Sequence, residues 1–160
     1  MKVGIDARFV TRQPRRGIGN YSLHLIQEIV DLAPESSFFL YTYAEDVEGV
    51  LPQSPNVTIR RLRVPSYVLW EQLALPRAAK VDGVEILHCL GNTAPFWRSC
   101  PYKTVLTLHD VMFLQSGKFV PRPTNLYQAA GRLYRKWIAP ACARTASRII
   151  TISEYSRSDI

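Results

Sequence analysis

The sequence predicts a doubly wound α/β fold, a mostly parallel sheet with helices on both faces. Three observations carry this reading. Short apolar, β-branched runs of the kind that form strands buried on both faces recur along the chain. Stretches with helical spacing of apolar residues separate several of them. Two long turn-rich connections, residues 91–102 and 113–124, leave the carboxyl ends of strands, where open α/β sheets bind ligands.

The first strand, Lys2–Asp6, follows Met1 directly, where a secretory leader would carry a longer apolar stretch. A helix over residues 18–32 comes next, because Ile18, Tyr21, Leu25, Ile29 and Leu32 share one face and Pro34 marks the exit. Strands follow at 38–43 and 57–62. Residues 67–80 are helical in pattern but contain Pro76, which should kink or split the helix. Strands at 85–90 and 104–109 precede a long amphipathic helix, Leu126–Thr145, for which Pro140 predicts the same interruption. A last strand at 148–152 leads into a helix begun near Ser153. The chain stops at Ile160 inside that helix's first turns, so it reads as a piece of a longer protein.

With 160 residues, 47% of them hydrophobic, the chain can bury a full core as one domain. No run of 18 apolar residues offers a membrane span, and a cytoplasmic location is expected. Cys89, Cys100 and Cys142 are odd in number and form no CxxC pair, which argues against a disulfide framework and against a structural zinc site. Reduced thiols are expected, with Cys89 buried, and no metal or cofactor is called for. The net charge of +7 is spread over small groups: Arg12, Arg15 and Arg16; Arg60, Arg61 and Arg63; Arg132, Arg135 and Lys136; Arg144 and Arg148. Solvated faces explain most of these, a phosphate-bearing substrate or anionic headgroups come second, and no nucleic-acid partner is expected.

Four positions or clusters could carry chemistry. Val105 to Leu108 run straight into His109 and Asp110, which places both at the mouth of a cleft. There His109 either holds a substrate hydroxyl and assists proton movement, or is locked by backbone contacts while Asp110 caps the next turn. Gly17 and Gly19 open the first helix and form a candidate phosphate cradle. As a dinucleotide fingerprint they fail, since Ser22 takes the third glycine's place and ten residues separate Asp6 from Gly17; their other reading is an exposed loop that only needs turn geometry. Asp6 either grips a ligand or pairs internally, and for Arg8 pairing with Asp6 and backbone is favoured. His88 reads as a buried histidine with a backbone partner, and a metal site from His88, Cys89, His109 and Asp110 has no supporting spacing.

In order, the pieces KVGIDAR, RRGIGNYSLHLI, VLTLHD and RIITISEYSRSDI resemble the amino-terminal half of family 4 glycosyltransferases, which have the GT-B fold of two Rossmann-like halves. The resemblance covers nearly the whole chain, and DAR with RGIGNY is most similar to the bacterial mannosyltransferase-type branch of cell-surface polysaccharide synthesis. It implies that residues 1–160 are the acceptor-side domain and that the carboxyl-terminal donor-binding half is absent. It implies a retaining transfer of a hexose, mannose in that branch, from a nucleotide sugar such as GDP-mannose or a UDP-hexose to a glycan or lipid-linked acceptor, without an obligatory metal. Gly17 and Gly19 then lie near the donor phosphates and His109 faces the transferred sugar, while Ser153, Glu154 and Arg157 lie on the cleft side after the sixth strand, with Asp6 and Asp110 as further substrate contacts. Phe96, Trp97 and Arg98 are candidates for a peripheral membrane contact at the inner face. The alternative is a non-catalytic module that binds a carbohydrate or lipid-linked acceptor; a nicotinamide-dependent oxidoreductase is disfavoured by the glycine spacing.

Overall fold

The computed structural model describes residues 1–96, 100–114 and 126–160. Six parallel strands form one sheet in the order β3-β2-β1-β4-β5-β6, with β1 Lys2–Asp6, β2 Ser37–Thr42, β3 Val57–Arg61, β4 Ile86–Cys89, β5 Lys103–Thr107 and β6 Arg148–Ile150. This is the Rossmann strand order, with the reversal between β1 and β4. Edge strand β3 carries Arg60 and Arg61, charges that discourage further strand addition.

Alternation along the strands assigns each residue to one face. Val3, Ile5, Phe38 and Leu40 pack beneath α1 (Gly17–Leu32) through Leu23, Ile26 and Val30. Tyr41, Leu87, Cys89 and Leu106 turn the other way, against Trp70, Leu75 and Ala79, and against Cys142 of α4 (Leu126–Thr145). The buried stripe of α1 is therefore not the predicted one. Leu25 and Ile29 are only half-buried and Leu32 is exposed, because the helix is apolar on two adjoining stripes and the one containing the small Gly19 and Ser22 sits closest to the sheet.

Neither proline splits its helix. Ahead of Pro76, α2 (Tyr67–Leu69) widens into a π-helical turn, Trp70–Ala74, and continues as α3 (Leu75–Asp82). Leu75 donates to the carbonyl of Trp70, five residues back, so the wider turn absorbs the proline without a break. Gly83 ends α3 in the left-handed conformation (φ 66°). α4 runs unbroken through Pro140.

Residues 91–95 are buried rather than overhanging as a loop. Phe96 is half-buried against the core, whereas Trp97, Arg98 and residues 115–124 lie outside the described residues. The three cysteines are free, with Cys89 and Cys142 buried. No helix among the described residues is long and apolar enough to cross a membrane.

Candidate functional site

The strand leading to His109 ends at Thr107, two residues short of the predicted end. Leu108 still donates to the carbonyl of Ile150, but the His109 amide leaves the sheet ladder and donates to Oδ1 of Asn92 at 2.6 Å. Asn92 is held for this by its own amide, which donates to the Thr107 carbonyl, and by a left-handed backbone (φ 62°), a conformation asparagine tolerates better than most residues.

The imidazole of His109 is buried, with its edge on the ring of Tyr21 in α1 at 4.9 Å between centroids. Its Nε2 lies 2.9 Å from the carbonyl oxygen of Leu90. A carbonyl can only accept, so Nε2 carries a proton, and Nδ1 is the ring nitrogen left without a protein partner among the described residues. On the far side, Ser156 donates to the His109 carbonyl at 2.9 Å, and Ser153 both donates to the Ser156 hydroxyl and accepts from its amide as the N-cap of α5 (Glu154–Asp159). His109 thus sits between the first turns of α1 and α5, on the α1 side of the sheet.

The predicted residues distribute unevenly around this point. Gly17 and Gly19 share α1 with Tyr21 and are brought near His109, and Ser153 reaches it through Ser156. Asp110 accepts from Met112 at 3.0 Å and so caps the following 3-10 turn, Met112–Leu114. Glu154 and Arg157 are exposed and pair with each other at 3.3 Å. With Ser153 they line an open cleft of about 610 Å³ beside β6, together with Ile149 and Thr151.

The two glycines differ. A Cβ on Gly17 would meet open space, whereas one on Gly19 would lie 2.7 Å from the backbone oxygen of Phe9 and 2.6 Å from Cγ of Arg15. Gly19 is therefore buried and needed for packing, not part of an exposed loop. The ring of the same Phe9 covers Gly91 so closely that a Cβ there would overlap it.

Asp6 belongs to a second cluster, on the opposite face of the same sheet edge. It is fully buried, aligned with Tyr41 and Cys89 on the neighbouring strands. Arg8 forms ion pairs with Asp6 at 2.9 Å and with Glu71 at 2.5 Å. Its Nε and Nη1 have no hydrogen-bond acceptor, but the guanidinium carbon lies 4.4 Å from the ring centre of Tyr67 and 5.0 Å from those of Phe9 and Trp70. Glu71 also accepts from Thr93 and Tyr134, each at 2.5 Å, and Gln72 donates to the Tyr134 hydroxyl at 2.8 Å. Burial pushes the Asp6 carboxyl up to about 6 against the pull of Arg8, and raises the Tyr134 hydroxyl, with Glu71 adding to the effect. Sequence reasoning named Asp6 and Arg8 but missed Glu71, Tyr134 and Asn92. One signal for Glu71 exists: it lies four and eight residues before Leu75 and Ala79, a charge in line with a buried stripe.

His88 is buried as expected, though its partner is a side chain, the Thr107 hydroxyl at 2.9 Å, and burial lowers its pKa to about 4. Among the described residues no cluster of three or more His, Cys, Asp or Glu side chains could hold a metal ion.

A parallel six-stranded sheet in Rossmann order, with a helix start and an oriented imidazole gathered at its strand ends, is a Rossmann-like α/β domain. The profile described as Glycosyltransferase Family 4 matches residues 15–160, most of the chain, and the protein belongs to that family. Its reaction class is sugar transfer, with a sugar donor and an acceptor as substrates. No curated protein matches the chain.

Proposed function

We propose that this chain is the acceptor-side domain of a two-domain GT-B transferase. In this reading the complete enzyme moves a hexose, with mannose the first candidate, from GDP-mannose or a UDP-hexose to a glycan or lipid-linked acceptor, with retention, in cell-surface polysaccharide synthesis at the cytoplasmic face of a membrane. The observation that carries it is the juxtaposition of His109 with the start of α1. The helix contributes unpaired amides and the positive end of its dipole, and Arg12 and Arg16 are exposed just before it. A departing nucleoside diphosphate gains charge as the glycosidic bond breaks, and fixed donors of this kind stabilise it without reorganising. His109, with Nε2 committed to Leu90, offers Nδ1 as acceptor for a hydroxyl of the transferred sugar and so orients it. Open space at Gly17 leaves the backbone accessible to a phosphate.

The test is transfer by the intact protein, assayed with radiolabelled GDP-mannose and UDP-hexoses and a lipid-linked acceptor extract. Transfer that fails when His109 is replaced by alanine supports the reading. Acceptor binding with no turnover of any donor would instead make the domain a non-catalytic binding module.

A further inference from the structure

Beside His109 a second polar group is left open. Asn92, just past β4, is only 7% exposed, and its Oδ1 accepts the His109 amide. A backbone N–H can be met only by the oxygen of a side-chain amide, so this bond fixes which way Asn92 is turned and leaves Nδ2, with its two protons, for something else. Neither Nδ2 of Asn92 nor Nδ1 of His109 has a partner among the described residues. Unlike the hydroxyl of Thr11, which is enclosed without a partner, neither atom is sealed from the surface. The sheet ladder explains only half of this side chain. An aspartate would accept the same amide and tolerates the same left-handed backbone (φ 62°). What asparagine adds is a donor, held beside an acceptor because the amide group and the ring are both fastened to one residue.

We propose that Asn92 is a specificity-determining residue that, with His109, clamps one hydroxyl of the transferred sugar: Nδ2 of Asn92 donates to the hydroxyl oxygen, and Nδ1 of the neutral His109 ring accepts the hydroxyl proton. A hydroxyl suits this pair because it accepts and donates at once, whereas a carbonyl or carboxylate satisfies only the amide and an ammonium only the ring. The two nitrogens come from the ends of β4 and β5, paired strands next to the reversal in strand order, where the ligand crevice of such a sheet opens. With its lone pair and its proton both engaged, the hydroxyl has one orientation. The epimer that carries it on the other side of the sugar ring would leave two buried nitrogens unpaired, which is how a site built to hydrogen-bond a hydroxyl rejects the wrong substrate. The inference rests on the reading of His109 as the ring that orients the sugar and extends it to a residue on a second strand.

The experiment is transfer kinetics of the intact protein with whichever of GDP-mannose and the UDP-hexoses it turns over fastest, and with each monodeoxy form of that donor, for the wild type, Asn92→Asp and His109→Ala. Asn92→Asp still accepts the His109 amide, so its melting should match the wild type, but it sets a second acceptor beside Nδ1 when the hydroxyl has a single proton to give. In the wild type one deoxy position should lower kcat/KM by on the order of 10-fold to 100-fold, the cost of leaving buried polar groups unpaired. Asn92→Asp should lose a comparable factor with the complete donor, and the same deoxy form should then cost either variant little more. Asn92→Gly, which suits the left-handed backbone and lacks both side-chain atoms, should likewise be indifferent to that deoxy form, and it decides the matter if Asn92→Asp does not fold. Position-92 variants that keep the full deoxy penalty while His109→Ala has lost it overturn the clamp and leave the reading of His109 standing. A wild type indifferent to every deoxy form, or one that turns over no donor, overturns both.

Discussion

Two clusters sit on opposite faces of one sheet edge and resolve their polar groups in opposite ways. On the α2–α3 side, Asp6, Arg8 and Glu71 are spent on one another, Thr93, Tyr134 and Gln72 close the remaining positions of Glu71, and the rest of the Arg8 guanidinium lies against aromatic rings. On the α1 side, His109 has its amide, its carbonyl and one ring nitrogen fixed, and the second nitrogen is left over. The first cluster is richer in charge, yet it is scaffold, because every group that could act on a ligand is enclosed. The second holds a single titratable ring and is better suited to recognition. Fixing all but one polar atom is what orients that atom.

The comparison is broken most strongly by removing the cation from the enclosed cluster. Arg8→Met leaves Asp6 and Glu71 buried without compensation and should destabilise the fold by about 3–5 kcal/mol, read as a lower midpoint in urea. A loss under about 1 kcal/mol would mean that the cluster is open to water.

The next effect is a pH dependence with two opposed parts. His88, lowered to about 4 from its ordinary 6.5, stabilises the fold above the higher value and loses that contribution as pH falls between the two. Asp6, raised to about 6 from 3.8, works in reverse, since its folded form holds a proton that the unfolded form releases, so its contribution grows as pH falls from about 6 towards 4. Each change is about 3 kcal/mol, so the two largely cancel in the wild type. In His88→Gln only the Asp6 slope remains, and any deficit of the variant at neutral pH should shrink by about that amount on acidification. A deficit independent of pH would show that His88 is not buried neutral.

His109→Ala sharpens the contrast from the other side. It should lower kcat of the intact enzyme on the order of 10²-fold, as loss of a positioned catalytic group does, with a small change in melting temperature. Normal turnover in a protein that melts far lower would make this ring scaffold as well. A smaller effect is expected for Gly19→Val, which forces a branched side chain against the Phe9 carbonyl and should cost about 1–3 kcal/mol, so that activity and stability fall together. Stability equal to wild type would release Gly19 from its packing role.

What the sequence made legible follows from how burial is written in a chain. Parallel strands covered on both faces leave runs such as Val105–Leu106, readable without a partner, and the sheet matches those runs to within two or three residues. The α1 stripe was misplaced because two adjoining stripes are both apolar, and only docking chooses between them. Asp6, Arg8 and His109 were legible as polar residues at strand ends. Glu71 and Tyr134 were not, because their pairing joins positions 63 residues apart through a π turn that Pro76 permits but does not announce. Asn92 was hidden for a related reason: its side chain replaces a rung of the sheet, which shows only when β4 and β5 are in register.

Phe9 has a wider consequence than its size suggests. Its carbonyl rests against Gly19 at the start of α1 and its ring lies on Gly91 at the end of β4, so one residue sets the gap between the two. The two glycines answer to different parts of it: a methyl group at Gly91 should be tolerated better once the ring is trimmed, as in Phe9→Ala, whereas one at Gly19 still meets the backbone oxygen of residue 9. Drift at position 91 is then conditional on position 9, so a lineage that gained a side chain at 91 would have to trim Phe9 first, while Gly19 stays held by main chain whatever residue stands at 9.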